Sequence, residues 1–277
     1  MLLYRADLPQ RLPATWSAIV RLENSITPAR MIELNAAAEL DGAAFAAVAN
    51  SFVGGAQPAP ERAPRFIDRL FGDDFARLTG QHLVLVFFAL GLSSAAGIPL
   101  GIWAARSRAA NSVIMPAVAV LQTIPSLALL AFLIALLNQI GTLPAVAALF
   151  LYGLLPIVRN TAAGLGGISR GLPQAAAALG LRPGTILHLI ELPLAARTIV
   201  AGVRTSAVIN VGTATIAAFI GAGGYGERIV AGLAVNDHAM LLAGALPAAA
   251  LAILIEAGFG LGERWLVPRG LRAANSR

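Results

Sequence analysis

The sequence lacks cysteine and lysine entirely, and only 12% of its 277 residues are charged. Without cysteine it can form neither a disulfide framework nor a cysteine-based metal site. Without lysine it lacks the residue that a phosphate-binding glycine loop uses to hold ATP. The three histidines are scattered, at His82, His188 and His238. We therefore expect no catalytic residue, no bound cofactor and no metal site in this chain.

Apolar residues are abundant instead, at 57% of the sequence with a mean hydropathy of +0.76. Ordinary soluble domains contain about 45–50% apolar and about 25% charged residues, so this composition predicts a multi-pass membrane protein. The net charge of +6 raises the question of nucleic acid. However, the basic residues are all arginines, lie mostly between or beyond apolar runs, and form no basic motif interleaved with aromatics. Lipid is the expected partner, and nucleic acid is not.

Long uncharged runs recur along the chain, and about 20 apolar residues suffice to cross a bilayer as a helix. Five runs qualify: residues 83–105, 113–137, 143–158, 199–220 and 240–261. They predict an all-α bundle of about five transmembrane helices in the cell (plasma or inner) membrane. Four prolines predict interrupted helices around a central cavity: Pro99, Pro116, Pro125 and Pro144.

The arginine-rich connections indicate the orientation of the bundle, because such segments face the cytoplasm. The two clearest are "ARSR" at 105–108 and "RGLRAANSR" at 269–277. With five spans, this distribution predicts an external N-terminus, a cytoplasmic C-terminus and a cytoplasmic loop at 166–198.

The segment before the first span is predicted to form an extracytoplasmic tail, residues 1–60. Thr27 and Pro28 are a favourable N-cap and first-turn pair for a short helix, and a second short helix follows. The proline- and glycine-rich residues 54–64 are typical of a linker.

An amphipathic helix is predicted at the membrane surface, within a linker-and-helix region at residues 61–79. Apolar side chains recur there at helical spacing, while most charged side chains lie elsewhere. The apolar stripe consists of Ile67, Leu70, Phe71, Phe75 and Leu78. A single elbow helix is therefore expected before the first span.

The stretch from Leu172 to Ala195, "LPQAAAALGLRPGTILHLIELPLA", has the pattern of two short helices joined by a turn. Pro173 suits the first helical position and Gly180 suits a helix end. Pro183 begins a second helix, which Pro193 is expected to end because it removes the preceding residue from the helical region.

Two surfaces of this pair of helices are predicted to have different roles. Ala175 and Ala176 present a nearly bare backbone ridge that another protein can approach closely. Ile186, Leu189 and Ile190 share one face, which is expected to anchor the second helix.

The spacing within this stretch resembles a family motif. The stretch resembles the E-A-A loop of permease subunits of binding-protein-dependent ABC importers. The matching residues are Gln174-Ala175-Ala176, then Gly180 after three residues, Ile190 after nine more, and Leu192-Pro193 after one more. Gln174 stands where that family usually has glutamate, which puts a salt bridge at this position in doubt. The resemblance implies that residues 166–198 couple the permease to a cytoplasmic ATPase, with Gly180 as a hinge.

The resemblance extends over residues 80–272. The strings "LQTIPSLALLAF", "GTLPAVAALFLYGLLPIVRNT", "AGVRTSAVINVGTATIAAFIGAGGYG" and "LVPRGLR" are similar to permeases of osmoprotectant importers, which move glycine betaine, choline, carnitine and similar quaternary amines. Such a permease, of the methionine-importer (MetI-like) fold, pairs with itself or a homologue. It works with two ATPase subunits that use ATP and Mg, and with an external binding protein.

Other functions stay open at this stage. A related ABC permease for another small solute, such as methionine, shares the loop but less of the flanking sequence. An ATP-independent channel or secondary transporter would have the same spans without needing a structured loop. A membrane scaffold for a receptor domain would not transport at all.

The N-terminal tail carries a second resemblance. The string "SAIVRLENSITPARMIELNAAAELDGAAFAAVANSFV" is similar to the C-terminal end of quaternary-amine binding proteins. This resemblance implies that the tail is the remainder of a receptor fused to the permease.

Three groups of polar residues remain as candidates for function. Ser206, Asn210 and Thr213 lie at spacings of four and three, so they either line a translocation path or hydrogen-bond between helices. Glu227 and Arg228 are expected at the outer surface, as a gate or receptor contact or as a solvated loop. Glu256, an acid within a span, is expected to snorkel or to pair with an arginine.

Overall fold

The computed structural model describes residues 7–21, 25–43, 45–53 and 65–266. The described residues are helical, with no strand among them, as the composition predicts. They fall into two compact units, one within residues 1–63 and one within residues 64–277.

The first unit contains four short helices: α1 (Leu8–Arg11), α2 (Pro13–Val20), α3 (Pro28–Glu39) and α4 (Phe45–Val53). The helix start predicted at Thr27 and Pro28 is confirmed, because the Thr27 side chain accepts a hydrogen bond from the Arg30 N–H at 3.3 Å. The predicted linker at 54–64 lies outside the described residues.

The second unit begins with a short helix, α5 (Phe66–Leu70), and continues as a bundle of long helices. These are α6 (Phe75–Arg106), α7 (Arg108–Thr123), α8 (Ser126–Leu137), α9 (Thr142–Gly166), α10 (Gly171–Ala178), α11 (Pro183–Ile186), α12 (Leu192–Ala214), α13 (Gly226–Ala234) and α14 (His238–Leu266). A π-helical turn at Leu187–Glu191 joins α11 to α12, and a 3₁₀ helix at Thr215–Ile220 follows α12.

Four helical segments of the described chain are long and apolar enough to cross a membrane, judged by length and composition. They are Phe75–Arg106, Thr142–Gly166, Pro183–Ile220 and His238–Gly262. The pair α7 and α8 makes a fifth if it counts as one broken span, which agrees with about five transmembrane helices.

The core of the bundle lies where α9 packs between α6 and α12. Glycines allow the close approach: a β-carbon on Gly101 would lie 2.8 Å from the Val158 carbonyl oxygen, and one on Gly97 2.9 Å from Ile157. Small residues at helix contacts are typical of membrane bundles, where van der Waals packing drives association.

The second predicted span is interrupted at Pro125, as the sequence predicts, whereas Pro99 and Pro116 lie inside the continuous helices α6 and α7. Residues 113–137 belong to α7 and α8, which are bent by 104° at their junction. Ile124 and Pro125 are both extended there. Proline offers no N–H and disfavours helix at the residue before it, so the chain breaks at Ile124–Pro125.

The single elbow helix is also wrong. The chain turns after α5, and Phe75 and Leu78 of the predicted stripe already belong to α6, where Leu78 is fully buried. The turn is stabilised by a hydrogen bond from the Phe75 N–H to the Gly72 carbonyl oxygen at 2.8 Å and by pairing of Asp74 with Arg228. Asp74, a charged residue inside the predicted stripe, therefore immediately precedes the start of α6.

Residues 221–237, which we call the distal segment, contain a helix that the sequence did not predict. Glycines at 221, 223 and 224 all have positive φ, and they turn the chain into α13. A β-carbon on Gly226 would lie 1.9 Å from the Thr215 carbonyl oxygen, so only glycine fits at this contact.

Candidate functional site

Residues 166–198, the predicted coupling loop, fold as helix, turn and helix. α10 begins at Gly171 rather than at Pro173, and it ends at Gly180, which has a φ of +85°. The Leu181 N–H donates to the Ala176 carbonyl at 3.2 Å and the Gly180 N–H to the Ala177 carbonyl at 2.9 Å. These two bonds form a Schellman end, which satisfies the last carbonyls of the helix. Gly180 is therefore confirmed as the helix terminator.

The second helix does not end at Pro193, and that prediction is wrong. Leu192 has helical angles, and α11 runs through the π-helical turn directly into α12. The π turn shifts the hydrogen-bond register, so that Pro193 falls in the first turn of α12, where its missing N–H is not needed. The coupling loop is thus continuous with a membrane-spanning helix.

The surfaces of the coupling loop differ from the predicted ones. Ala175 is exposed, but Ala176 is only 5% exposed, so only one of the two alanines of the predicted ridge lies at the surface. Ile186 is buried as expected for an anchor and Ile190 is half-buried, whereas Leu189 is 68% exposed. The π turn rotates Leu189 away from the face that it would share in a regular α-helix.

Large apolar side chains cover the outside of the coupling loop. Leu179 is 82% exposed and Leu172 is 51% exposed, and Leu189 adds to them. Gln174, the residue that departs from the family motif, is also exposed. This combination of polar and apolar exposed side chains is typical of a surface that another protein covers.

An ion pair ties the coupling loop to the end of α6. Arg106 donates to Glu191 at 2.6 Å, and Glu191 lies in the π turn. In the sequence, Arg106 indicates only the topology, as part of an arginine-rich connection. The partners are 85 residues apart, so no local pattern indicates it.

The polar stripe on α12 divides into two parts. Ser206 and Asn210 are fully buried, and neither side chain has a hydrogen-bond partner within the described residues. Ser206 lies at a helix contact, since a β-carbon on Gly153 would be 2.7 Å from its hydroxyl oxygen. Thr213 instead lines a cavity beside the break between α7 and α8.

Arg228 is buried rather than part of a solvated loop, with 4% of its surface exposed. Its guanidinium donates to both carboxylate oxygens of Asp74, and the bond from Nε to Oδ2 is 3.2 Å long. It also donates to the backbone carbonyl oxygens of Leu70 at 2.8 Å and Ala243 at 3.1 Å. These hydrogen bonds from Arg228 hold the pKa of Asp74 below its ordinary value. Arg228 therefore joins the starts of α6 and α14 through α13.

Two further ion pairs flank Arg228. Arg77 on α6 pairs with Glu227 at 2.9 Å, and Arg69 on α5 pairs with Asp237. The backbone N–H of Met240 is the largest cause that lowers the pKa of Asp237, and Arg69 adds to it. The distal segment thus shares three arginine–carboxylate pairs with residues 69–77.

Glu256 pairs with Arg204 at 2.8 Å, as expected from the sequence. His82, which the sequence did not single out, is fully buried, and its Nε2 lies 3.1 Å from the Val211 carbonyl oxygen. Its other ring nitrogen has no partner within the described residues. A histidine at the start of an apolar run gives no sequence signal that distinguishes a buried side chain from an exposed one.

The fold and these sites define a class of membrane transport protein. Residues 97–270 match the family described as "Binding-protein-dependent transport system inner membrane component". The chain belongs to this family, and it is a multi-pass permease subunit of the plasma membrane rather than an enzyme.

Two named relatives show which transport systems the chain resembles in sequence. The chain is 39% identical over 201 residues to the choline transport system permease protein OpuBB of Bacillus subtilis, covering 73% of this chain and 92% of the relative. It is 42% identical over 201 residues to the osmoprotectant import permease protein OsmW of Salmonella typhimurium, covering 71% and 94%. The matched length is close to the whole of each relative.

A solved structure supports the fold. The chain resembles the inward-facing MetNI methionine ABC transporter with a TM-score of 0.63, covering 70% of this chain and 96% of that one at 21% identity. The expected MetI-like permease fold is therefore confirmed.

Proposed function

We propose that this chain is the permease subunit of an ATP-driven importer for quaternary-amine osmoprotectants. The observation that carries the proposal is the identity of about 40% to permeases named for choline and osmoprotectant transport, over more than nine-tenths of their length. The fold neighbour named for methionine supports only the fold, because its identity is 21%.

The proposed assembly contains two cytoplasmic ATPase subunits, which bind and hydrolyse ATP with Mg, and a second permease that is a copy or a homologue. An external binding protein delivers the solute, or a fused receptor does so if the N-terminal tail is its remainder. In this arrangement the N-terminus is external, and the coupling loop and the C-terminus are cytoplasmic.

The exposed leucines of the coupling loop are the proposed contact with the ATPase. Leu179 directly precedes Gly180, where the chain leaves α10 with a positive φ. Leu172 and Leu189 lie on either side of it along the sequence. Gln174 and Ala175 complete the docking surface. Burying these side chains at an interface removes apolar surface from water, which stabilises docking.

Two connections transmit movement of the coupling loop into the bundle. The π turn makes α11 continuous with α12, and the Arg106–Glu191 pair joins the loop to α6. Closure of the ATPases would therefore move two membrane helices together. Because packed helices switch between discrete arrangements, the pathway would alternate between its two openings.

The proposed outer gate is α13 as a rigid body. Arg228 is anchored on three sides and cannot swing as a free gating side chain without losing its hydrogen bonds. Glu227, which is half-buried and paired with Arg77, is the gate candidate nearer the solvent.

The test is ATP-dependent uptake of radiolabelled glycine betaine or choline by the assembled transporter in proteoliposomes. We expect uptake only when the ATPase subunit and ATP are present. Leu179→Ser should lower uptake and ATPase stimulation several-fold with normal assembly of the permease fold, because it alters only an exposed contact. Ile140→Ser is the matched control, since Ile140 is 76% exposed in the turn between α8 and α9 and has no proposed role. Uptake that does not depend on ATP would contradict the proposal.

A further inference from the structure

A polar cavity lies at the break between α7 and α8. Its volume is about 380 Å³, within the range of small-molecule sites. Residues from four helices and the break itself surround it: Gln122, Thr123, Ile124, Pro125, Ser126, Tyr152, Ile209 and Thr213. Three of the helices that surround it, α7, α9 and α12, also form the packed body of the bundle, so the site is held by rigid elements.

The two helix ends at the cavity have opposite electrostatic character. α7 ends at Thr123 and α8 begins at Ser126, and residues from both ends line the cavity. The C-terminal end of a helix carries partial negative charge on its carbonyls, and the N-terminal end carries partial positive charge on its amides. The 104° bend brings these two ends to one cavity.

Side chains hold this geometry in place. The Tyr152 hydroxyl donates to the Ile124 carbonyl oxygen, and the Gln122 side chain donates to the Tyr152 carbonyl oxygen at 2.9 Å. α9 is therefore hydrogen-bonded both to the last turn of α7 and to the break itself. Tyr152 is only 8% exposed, so its ring is fixed as part of the cavity wall.

The absence of charged residues from the cavity lining indicates which chemical class of ligand the cavity can bind. None of the lining residues is acidic or basic, so a ligand with net charge would enter a site of low dielectric without a counter-charge. A zwitterion carries no net charge and matches both helix ends. A quaternary ammonium needs no hydrogen-bond acceptor, and carbonyl dipoles and an aromatic ring attract it.

We propose that this cavity is a transit site for a zwitterion with a quaternary ammonium and a carboxylate. The ammonium lies against the carbonyl end of α7 and the ring of Tyr152. The carboxylate lies against the first amides of α8 and the hydroxyl of Ser126. This assignment rests on the proposed function and adds a binding site within the membrane to it.

The absence of cysteine from the chain allows a direct test by site-directed labelling. Ser126→Cys, in the assembled transporter in proteoliposomes, is labelled with the small neutral reagent methyl methanethiosulfonate. Glycine betaine should slow the labelling about tenfold at about ten times its dissociation constant. Tetramethylammonium or acetate alone should protect far less at the same concentration, since each matches only one helix end.

Two further variants make the test specific. Thr213→Cys is a second position in the cavity if Ser126→Cys does not assemble. Thr205→Cys is the control: Thr205 is exposed on the same helix, and its hydroxyl bonds to Ala201 at 3.0 Å as that of Thr213 bonds to Ile209 at 2.9 Å. Its labelling should not change with glycine betaine.

Three outcomes would overturn the transit site. They are labelling unaffected by glycine betaine, equal protection by all three solutes, and labelling that is slow with or without solute because a second subunit fills the cavity. Uptake of glycine betaine by the wild-type assembly is measured in parallel. It shows whether a negative result contradicts only the transit site or also the proposed function. Uptake without protection refutes the transit site alone, whereas absence of uptake for any quaternary amine refutes the function.

Discussion

The coupling loop and the distal segment lie at opposite ends of α12 and use their residues in opposite ways. The coupling loop exposes large apolar side chains, of which Leu179 is the most exposed at 82%. The distal segment buries Arg228. Its three ion-pairing side chains, those of Glu227, Arg228 and Asp237, all pair with charged residues within 69–77. The two ends therefore differ most in two groups: the exposed leucine beside the end of α10, and the arginine that is buried and paired in the distal segment.

This difference suits the proposed roles of the two regions: the coupling loop as a contact that forms and breaks with the ATPase, and the distal segment as a permanent contact between helices. A surface that binds and releases an ATPase in each cycle must be stable without its partner, so it needs strong local helix ends such as the one at Gly180. A segment that holds the starts of two long helices needs buried, directional hydrogen bonds, because each constrains geometry as well as distance. We infer that movement begins at the coupling loop and is resisted at the distal segment.

Arg228→Met should have the largest effect on stability. It leaves the Asp74 carboxylate and two backbone carbonyls without their donor, and breaking a buried, hydrogen-bonded ion pair costs several kcal/mol. Because Asp74 is 41% exposed and regains water, we expect a loss of about 2–4 kcal/mol. The measurement is the free energy or midpoint of thermal unfolding of the purified protein in detergent.

Arg77→Met is the matched control for that variant. Its pair with Glu227 is exposed on both sides, at 49% and 37%, and exposed ion pairs contribute little. An equal shift in both variants would show that burial of Arg228 is not what stabilises the distal segment.

Gly180→Val should have a smaller effect on stability and a larger one on coupling. A β-carbon at Gly180 meets no atom within 4 Å, so the only cost is backbone strain at a φ of +85°, about 1–2 kcal/mol. That strain is confined to the end of α10 and displaces Leu179. We expect normal folding and a several-fold lower ratio of solute imported to ATP hydrolysed.

Asparagine tolerates the left-handed region better than valine, so Gly180→Asn should restore much of the coupling. Gly184→Ala tests a glycine in the same loop without a positive φ, and its coupling should stay at the wild-type level. Normal coupling in Gly180→Val would rule out a hinge at this residue.

The accuracy of the sequence-based predictions differs between these two ends for a physical reason. The end of α10 depends on glycine and on neighbouring residues, and local rules predicted it correctly. Leu189 and Pro193 depend on a π turn, which changes the helical period and has no sequence signature of its own. The distal segment depends on contacts such as Asp74 with Arg228, 154 residues apart. Its charged, glycine-rich sequence therefore predicts a gate, a receptor contact or a solvated loop at the outer surface, and not a buried arginine.

The hydrophobic pattern predicted the apolar spans well but not their breaks. Hydropathy counts Ile124 and Pro125 as part of one run, whereas the backbone departs from the helix at both residues. Proline indicated that a break was possible. The 104° angle depends on Tyr152 and Gln122, which meet the break only in three dimensions.

Acid should weaken the distal segment, and this is the smallest effect because it is absent at neutral pH. Asp74 and Asp237 have pKa values below the ordinary 3.8 in the folded protein. A carboxyl whose folded pKa is lowered stabilises the fold above its unfolded pKa and loses that contribution as the pH falls through the folded pKa. Thermal stability should therefore be level from pH 7 to about pH 5 and fall below about pH 4.

Asp74→Asn identifies the source of this pH dependence. An asparagine cannot ionise, so the variant should be less stable at pH 7 and lose less further stability below pH 4, with Asp237 providing the remainder. The largest cause of the lowered pKa of Asp237 is the backbone N–H of Met240, so its contribution should persist in Arg69→Met. A steeper acid dependence in Asp74→Asn than in the wild type would mean that other carboxyls control the acid response. The distal segment would then be no more sensitive to acid than the coupling loop.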